Sequence, residues 1–208
     1  MTRLLISAAM AAALMLPASL AAQVAQDVHT LNHGEVEAYG DLFRVAPSGV
    51  TATNYLGLGG RVSLNTGAHV ALEAEMNYDF EQSYTSTTNN SGTITTYTAK
   101  VRPISGLFGP KFQFGSSGPF RAFIEAKGGF IDFSTGCNAP AGSTSCFTGS
   151  LSSFGGSSTH FAAYPGGGIE FFAGPFGLRI DAGDEIWLDN NNNATNNLRV
   201  TFGPTLRF

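Results

Sequence analysis

Apolar and polar residues alternate with period two along most of the chain. In the final run Leu198, Val200, Phe202, Leu206 and Phe208 take one parity, and Arg199, Thr201, Gly203, Thr205 and Arg207 take the other. A strand with two unlike faces reads this way, because successive side chains leave a strand on opposite sides. Val70, Leu72, Ala74, Met76, Tyr78 and Phe80 alternate with Glu73, Glu75, Asn77 and Asp79. Phe120, Ala122, Ile124 and Ala126 alternate with Arg121, Phe123, Glu125 and Lys127, and Leu178, Ile180, Ala182 and Ile186 with Arg179, Asp181 and Glu185. Residues 55–64 set Leu56, Leu58, Val62 and Leu64 against Gly57, Gly59, Arg61 and Ser63. Weaker runs at 35–45, 101–114 and 160–173 bring the expectation to eight strands of about ten to fourteen residues. No segment shows an apolar stripe at helical period with capping signals.

The connections come in two lengths that alternate strictly. Residues 65–68, 115–118 and 173–175 are tight turns rich in Gly, Asn and Pro, whereas 46–54, 81–99, 134–159 and 188–197 are long. This predicts an up-and-down antiparallel barrel with loops on one rim, turns on the other and both termini on the turn side. Phe108-Gly109-Pro110 and Phe202-Gly203-Pro204 echo each other in descending strands, as do Gly118-Pro119-Phe120 and Gly174-Pro175-Phe176 in ascending ones. Pro103, Pro110, Pro165 and Pro204 fall inside the predicted strands. Proline cannot donate to a ladder, so bulges or rim positions are expected there.

Residues 1–22 have the layout of a secretory signal peptide. Arg3 supplies the positive charge, and residues 4–16 form an uncharged run of 13. That run is short of the roughly 20 residues a spanning helix needs. Pro17 breaks it, and Ser19-Leu20-Ala21 predicts cleavage after Ala21 or one residue later. No Cys follows to carry a lipid anchor. Residues 23–34 then form a periplasmic lead-in and 35–208 one barrel domain. Across the whole chain of 208 residues only 12% are charged, where soluble domains average about a quarter. The 17 Phe and 6 Tyr exclude a disordered chain. A net charge of -4 leaves no basic footprint for nucleic acid.

Charge placement separates a membrane barrel from a soluble one. The four long connections contain only Glu81 and Asp189 as charges. A soluble barrel would place charges there, where solvation is free. Here both signs concentrate on one strand parity, which predicts hydrocarbon outside and ions inside. Arg61, Glu73, Glu75, Lys111, Arg121, Glu125, Lys127, Glu170, Arg179, Asp181, Glu185 and Arg199 are the expected interior network, with Glu125, Lys127, Arg179 and Asp181 at its centre. An eight-stranded barrel has room for side chains and little else, so a plug is expected; a narrow pore for ions or small solutes is the alternative. Tyr78, Phe80, Phe130 and Phe161 would form an aromatic girdle on the loop side, and Phe112, Phe114, Phe120 and Phe208 one on the turn side.

These features, together with the terminal Thr205-Leu206-Arg207-Phe208, resemble the small outer-membrane β-barrels of the OmpA/OmpX type over about residues 35–208. The resemblance implies a Gram-negative outer membrane, with outer-membrane lipid and lipopolysaccharide as surroundings. It also implies folding through the barrel-assembly machinery, for which the strand ending in Phe208 is the recognition signal. As the chain stops at Phe208, no periplasmic domain is expected to follow. A monomer without enzymatic activity or cofactor is expected, serving envelope integrity or surface contact through its loops.

Other candidate chemistry is weaker. Cys137 and Cys146 are close in sequence, and an oxidising compartment predicts a local disulfide; a metal site needs more ligands at defined spacing. His160 follows Ser157, Ser158 and Thr159, the one place where a lipid-modifying enzyme on the rim would find a nucleophile and base, without the His-x-Ser spacing of lipid A deacylases. His29, His33 and His69 read as surface residues. Asp189 and the asparagines after it lack the spaced carboxylates of a calcium loop. Gly166-Gly167-Gly168 lies within a strand and reads as room for bulky inward neighbours. The uncharged loops 82–98 and around Cys137 are candidate contacts for a surface ligand.

Overall fold

The computed structural model describes residues 33–45, 52–90, 93–115, 118–138, 159–188 and 194–208, with the backbone alone at 86–90, 93–97 and 137–138. The strands are β1 (Gly34–Val45), β2 (Thr53–Asn65), β3 (Val70–Asp79), β4 (Gln82–Asn90), β5 (Thr93–Phe114), β6 (Phe120–Asn138), β7 (Thr159–Ala173), β8 (Phe176–Leu188) and β9 (Ala194–Arg207). Among the described residues there is no helix. Every strand is bonded antiparallel to its sequence neighbours, except that β3 and β4 do not pair; β9 returns to β1, and β3 pairs with β5 instead of β4. Eight strands thereby close into a barrel. β4 resumes the path of β3 beyond residues 80–81 and pairs only with the loop end of β5.

The registers set the geometry of closure. From Val36 the partners run to Val62, Ala74, Phe108, Gly128, Ala163, Ile186 and Asn196, whereas the partner of Val36 itself on β9 is Leu206, ten residues further along. A stagger of ten residues at ~3.3 Å each, against eight strand spacings of ~4.8 Å, tilts the strands by roughly 40°. His33 and Gly34 donate their N–H groups to the Phe208 carbonyl at 2.9 Å, and Phe208 N donates to Gly34 O at 3.0 Å. The seam between the first and last strands therefore closes on the turn side.

Two turns depend on glycine: Gly115 has φ 86° and Gly174 φ 63°, a left-handed region that side chains with a Cβ avoid. Two expectations about the strands are corrected. The stretch 81–99 is not a free connection, because Gln82–Asn90 pairs with β5 from Val101 back to Thr93; its Thr-rich composition suits a strand as well as a loop. The expected bulge is also absent at three of the four prolines. Pro103 pairs with Phe133 in an unbroken ladder to β6. On its other side three residues, 79–81, stand opposite 102–103 between the pairs Tyr78–Ile104 and Gln82–Val101, the one-residue excess of a bulge. At Pro110, Pro165 and Pro204 the ladder to one neighbour lapses for two residues and resumes in the same register. On the other side these three pair with Leu72, Ala126 and Leu178. A proline lacks one N–H, so only one side of its ladder suffers. Gly109 and Gly203, each just before a proline, let the neighbouring backbone come close: a Cβ on either would sit 2.2 Å from a carbonyl oxygen, of Ala126 or Ala38.

The polarity is inside-out. Leu56, Leu58, Val62, Met76, Phe108, Ile124, Ile180, Leu198 and Phe202 face outward and are exposed, while Glu73, Glu125, Arg179 and Asp181 on the opposite parity are buried. Phe120 and Phe130, both outward on β6, lie ten residues apart, which at this tilt is roughly 25 Å along the axis, the height of a hydrocarbon belt. Tyr78, Phe80, Phe130 and Phe161 are exposed at its loop end; Phe112, Phe114, Phe120 and Phe208 are exposed at its turn end, joined by Phe171 and Phe176.

Candidate functional site in the barrel lumen

The inward parity of the strands brings ten carboxylates and seven cations into the lumen, all buried: Glu35, Glu37, Asp41, Glu73, Glu75, Asp79, Glu125, Glu170, Asp181 and Glu185 with Arg61, Lys111, Arg121, Lys127, Arg179, Arg199 and Arg207. All twelve residues of the sequence-derived network are among them. The structure links ten of these with Glu35 and Glu37, and sets Glu185 with Arg199 apart, nearer the loop end.

At mid-height Arg179 from β8 meets Glu73 of β3 and Glu125 of β6, each at 2.7 Å, and Glu170 of β7 and Asp181 of its own strand at 3.2 and 3.1 Å. Arg61 reaches Glu75 at 2.6 Å, Glu37 at 2.7 Å and Asp181 at 3.1 Å. Lys111 binds Glu73, Glu170 and Glu35 at 2.8, 2.9 and 3.1 Å. Toward the turns Arg121 pairs with Glu35 and Glu170. Above the centre Arg199 pairs with Asp41, with Asp79 at 3.3 Å and with Glu185 at 2.6 Å. Burying a charge costs several kcal/mol per ion, so such groups persist only when each finds partners.

The oxygens of Glu73, Glu75 and Glu125 lie within 4.8 Å of one another, a spacing that suits a metal ion. The Lys127 ammonium already stands among them, 3.1, 2.7 and 2.7 Å from the three carboxylates. It supplies the positive charge that a metal would supply.

A second layer supports the ions. Each of the seven buried cations lies against an aromatic ring: Arg61 on Tyr39, Lys111 and Arg179 on Phe123, Arg121 and Arg207 on Phe172, Lys127 on Tyr164, and Arg199 on Phe43. Cation–π attraction strengthens when both groups are desolvated. The rings in turn cover inward glycines. A Cβ on Gly59 would fall 2.2 Å from the Tyr39 ring, on Gly166 2.6 Å and on Gly183 2.4 Å from that of Tyr164, and on Gly168 2.7 Å from that of Phe123. The room at Gly166 and Gly168 is taken up by these two rings. Tyr164 also donates its hydroxyl to Asp181 at 2.9 Å, and Tyr39 donates to Asn77 at 2.6 Å.

Toward the loops the lumen turns apolar. Phe43, Val45, Tyr55, Val101, Leu107, Ile131, Phe133 and Trp187 form one buried cluster, and Tyr84 packs against it. The Trp187 ring lies 5.3 Å from Phe133 and 6.1 Å from Phe43. The interior is therefore not ionic throughout. Sequence reasoning missed this cap, and it missed Glu35, Glu37, Asp41, Asp79 and Arg207. The signal was present in their parity: Glu35, Glu37 and Asp41 share it with Tyr39, Asp79 with Glu73, and Arg207 with Arg199.

The remaining candidates do not converge. His33 lies at the seam, and His69 Nδ1 is 3.2 Å from the Gln113 carbonyl near the turns. His160 stacks edge-on to Phe133 at the opposite end. Ser157, Ser158, His29, Cys146, Asp189 and the asparagines 190–193 lie outside the described residues, and Cys137 is described only by its backbone, so the disulfide, the rim serines and the asparagine loop have no geometry here.

The closed eight-stranded wall with an apolar exterior and an ionic core defines the class: a β-barrel of the membrane-spanning type. No protein-family model matches the chain, and no curated protein matches it. Among solved structures, the outer membrane protein OprG from Pseudomonas aeruginosa superposes with a TM-score of 0.50 at 11% identity, over 88% of this chain and 99% of that one. A major outer membrane protein from Thermus thermophilus gives 0.49 at 11%, over 84% and 99%. Ail, the attachment invasion locus protein of Yersinia pestis, solved with the heparin analogue sucrose octasulfate, gives 0.48 at 16%, over 84% and 97%. The likeness to OprG is one of fold: the chain has the up-and-down barrel of that outer-membrane protein.

Proposed function

We propose that the protein is an integral protein of a Gram-negative outer membrane whose lumen is a closed plug. It acts through its wall and loops, in envelope integrity or surface contact, rather than by catalysis. The observation that carries this reading is the mid-lumen position of Arg179, whose guanidinium reaches carboxylates from β3, β6, β7 and β8 and so ties opposite walls together. The exposed apolar belt between aromatic girdles supports the membrane placement, since a closed sheet leaves no backbone group unsatisfied in lipid. The rest of the reading follows from the sequence: export by residues 1–22, folding through the barrel-assembly machinery with Phe208 ending its signal, a Cys137–Cys146 disulfide, contact with lipopolysaccharide, and a monomeric state.

A narrow cation pore is the second reading, favoured by the excess of ten buried carboxylates over seven cations. Planar-bilayer recording of the full mature chain separates the two. A silent bilayer is expected of a plug. Steady cation-selective openings that disappear in Glu125→Ala would overturn it in favour of the pore. Fractionation into the outer membrane, with a folded band that shifts on heating in SDS gels, tests the placement.

A further inference from the structure

The lumen takes seven of the Lys and Arg side chains among the described residues. The other three, Arg44, Lys100 and Arg102, all face outward on the loop side of the wall, Arg44 near the end of β1 and the other two midway along β5, where it passes the level of Tyr78. At the turn end the outward positions are apolar instead: Val36, Leu64, Leu72, Phe114, Phe120 and Leu206. The outer surface of the barrel therefore carries its charges at one end, these three cations beside the carboxylates of Glu81, Asp132 and Asp184. Its cations cluster just above one aromatic girdle and are missing from the other.

Two of the three form a built arrangement. Lys100 and Arg102 are two residues apart on β5, so both side chains leave the same face of the strand. Arg102 Nη1 donates to the Tyr78 hydroxyl at 2.9 Å, and its guanidinium lies 5.2 Å from the Tyr78 ring centre. Tyr78 belongs to the girdle, so the guanidinium is held at the boundary between hydrocarbon and headgroups, with its stem along the apolar wall, as long cationic side chains do at such interfaces. Arg102 Nε is buried and donates to nothing, so an outside acceptor meets the terminal nitrogens of the guanidinium. Lys100 pairs with Glu81 at 2.9 Å, but both side chains are nearly half exposed. An exposed pair of this kind contributes little and exchanges readily for a stronger acceptor. Arginine suits an anion with several oxygens because its planar fork presents parallel donors.

We propose that Arg102 and Lys100, braced on Tyr78, hold the phosphate of a lipid headgroup in the leaflet on the loop side. The site rests on the membrane reading above, to which it adds a lipid class and a location. It also fixes the leaflet: phosphate-rich lipid belongs on the side of the loops, and the turn side has no comparable grip.

The test uses the full mature chain, refolded and checked by its heat-modifiable band. Native mass spectrometry from micelles doped with bis-phosphorylated lipid A, or with the same lipid after dephosphorylation, counts retained lipid. Retention of the phosphorylated form at least tenfold above the dephosphorylated form is expected, with the preference lost in Lys100→Gln/Arg102→Gln and largely kept in Arg102→Lys. Arg44→Gln, away from Tyr78, leaves it unchanged. Equal retention of the two lipids, or a double variant that keeps the preference, overturns the site. Loss of the preference in millimolar inorganic phosphate would show a general anion site and overturn the assignment to lipid. A wild-type chain that inserts into neutral vesicles without any phosphate preference defeats only this site. A chain that stays soluble without inserting defeats the membrane reading itself.

Discussion

Arg179 grips Glu73 with both terminal nitrogens, Nη1 2.7 Å from Oε1 and Nη2 3.2 Å from Oε2. The two residues stand on β8 and β3, which are four strands apart in either direction around the eight-stranded wall. This fork-to-carboxylate bond is a tie-rod across the widest span of the barrel, and charge assistance makes it among the stronger hydrogen bonds a protein forms.

Cutting the tie-rod should weaken the whole barrel. Arg179→Gln leaves Glu73, Glu125, Glu170 and Asp181 short of a common partner, and breaking one side of a buried pair costs about 3–5 kcal/mol. A clear fall in the urea midpoint is expected in lipid vesicles, with a smaller fall for Arg179→Lys, which keeps the charge but not the fork. An unchanged midpoint for Arg179→Gln would mean that the lumen ions do not stabilise the fold.

Lys127 stands where a metal would bind among Glu73, Glu75 and Glu125. In Lys127→Met the three carboxylates lose their common cation. Stability measured with a chelator should drop, and millimolar calcium should restore part of it in the variant while leaving the wild-type chain unaffected. Equal responses of the two proteins to calcium would refute this account of the lysine.

The glycine, ring and cation layering predicts a steric failure. Gly59→Val drives a branched side chain into the Tyr39 ring, which already lies 2.2 Å from where a Cβ would be, and displaces the ring from Arg61. Overpacking of this kind costs about 1–3 kcal/mol and can exceed that where the neighbour cannot move. Gly67→Ala meets nothing within 4 Å and serves as the control. Refolding yields read from the heat-modifiable band should fall for the first variant and not for the second.

Trp187 is the one tryptophan of the chain, and it is buried in the lumen cap. Its fluorescence should resist quenching by brominated acyl chains. In a Trp187→Phe background, Phe161→Trp places the indole on the exposed girdle and should be quenched strongly. Strong quenching of Trp187 itself would reverse the assignment of inside and outside.

The alternation of residue types was sufficient for the eight strands of the wall and for the choice of which parity meets lipid, because a period of two separates two environments without reference to any distant residue. The lengths of the connections set direction and the two rims, and β4 was not legible in either. Leu72 against Glu73, and Ile180 against Asp181, already state which side is hydrocarbon. The same parity would have admitted Glu35, Glu37, Asp41 and Asp79 to the interior, had the first strand and the top of the third been followed to their ends. At Pro110, Pro165 and Pro204 the expected bulge is absent, since sequence shows a missing donor but not that the opposite ladder stays intact. Which ion meets which was beyond the sequence altogether. Arg179 and Glu73 lie 106 positions apart, and their encounter depends on a stagger of ten residues accumulated over eight pairings. A shift of two residues in any one of them would preserve every inward and outward face yet bring different charges together. The division of the lumen into an ionic middle and an apolar cap arises in the same way: each strand sets its own sequence of side chains, and only closure decides the height at which they meet.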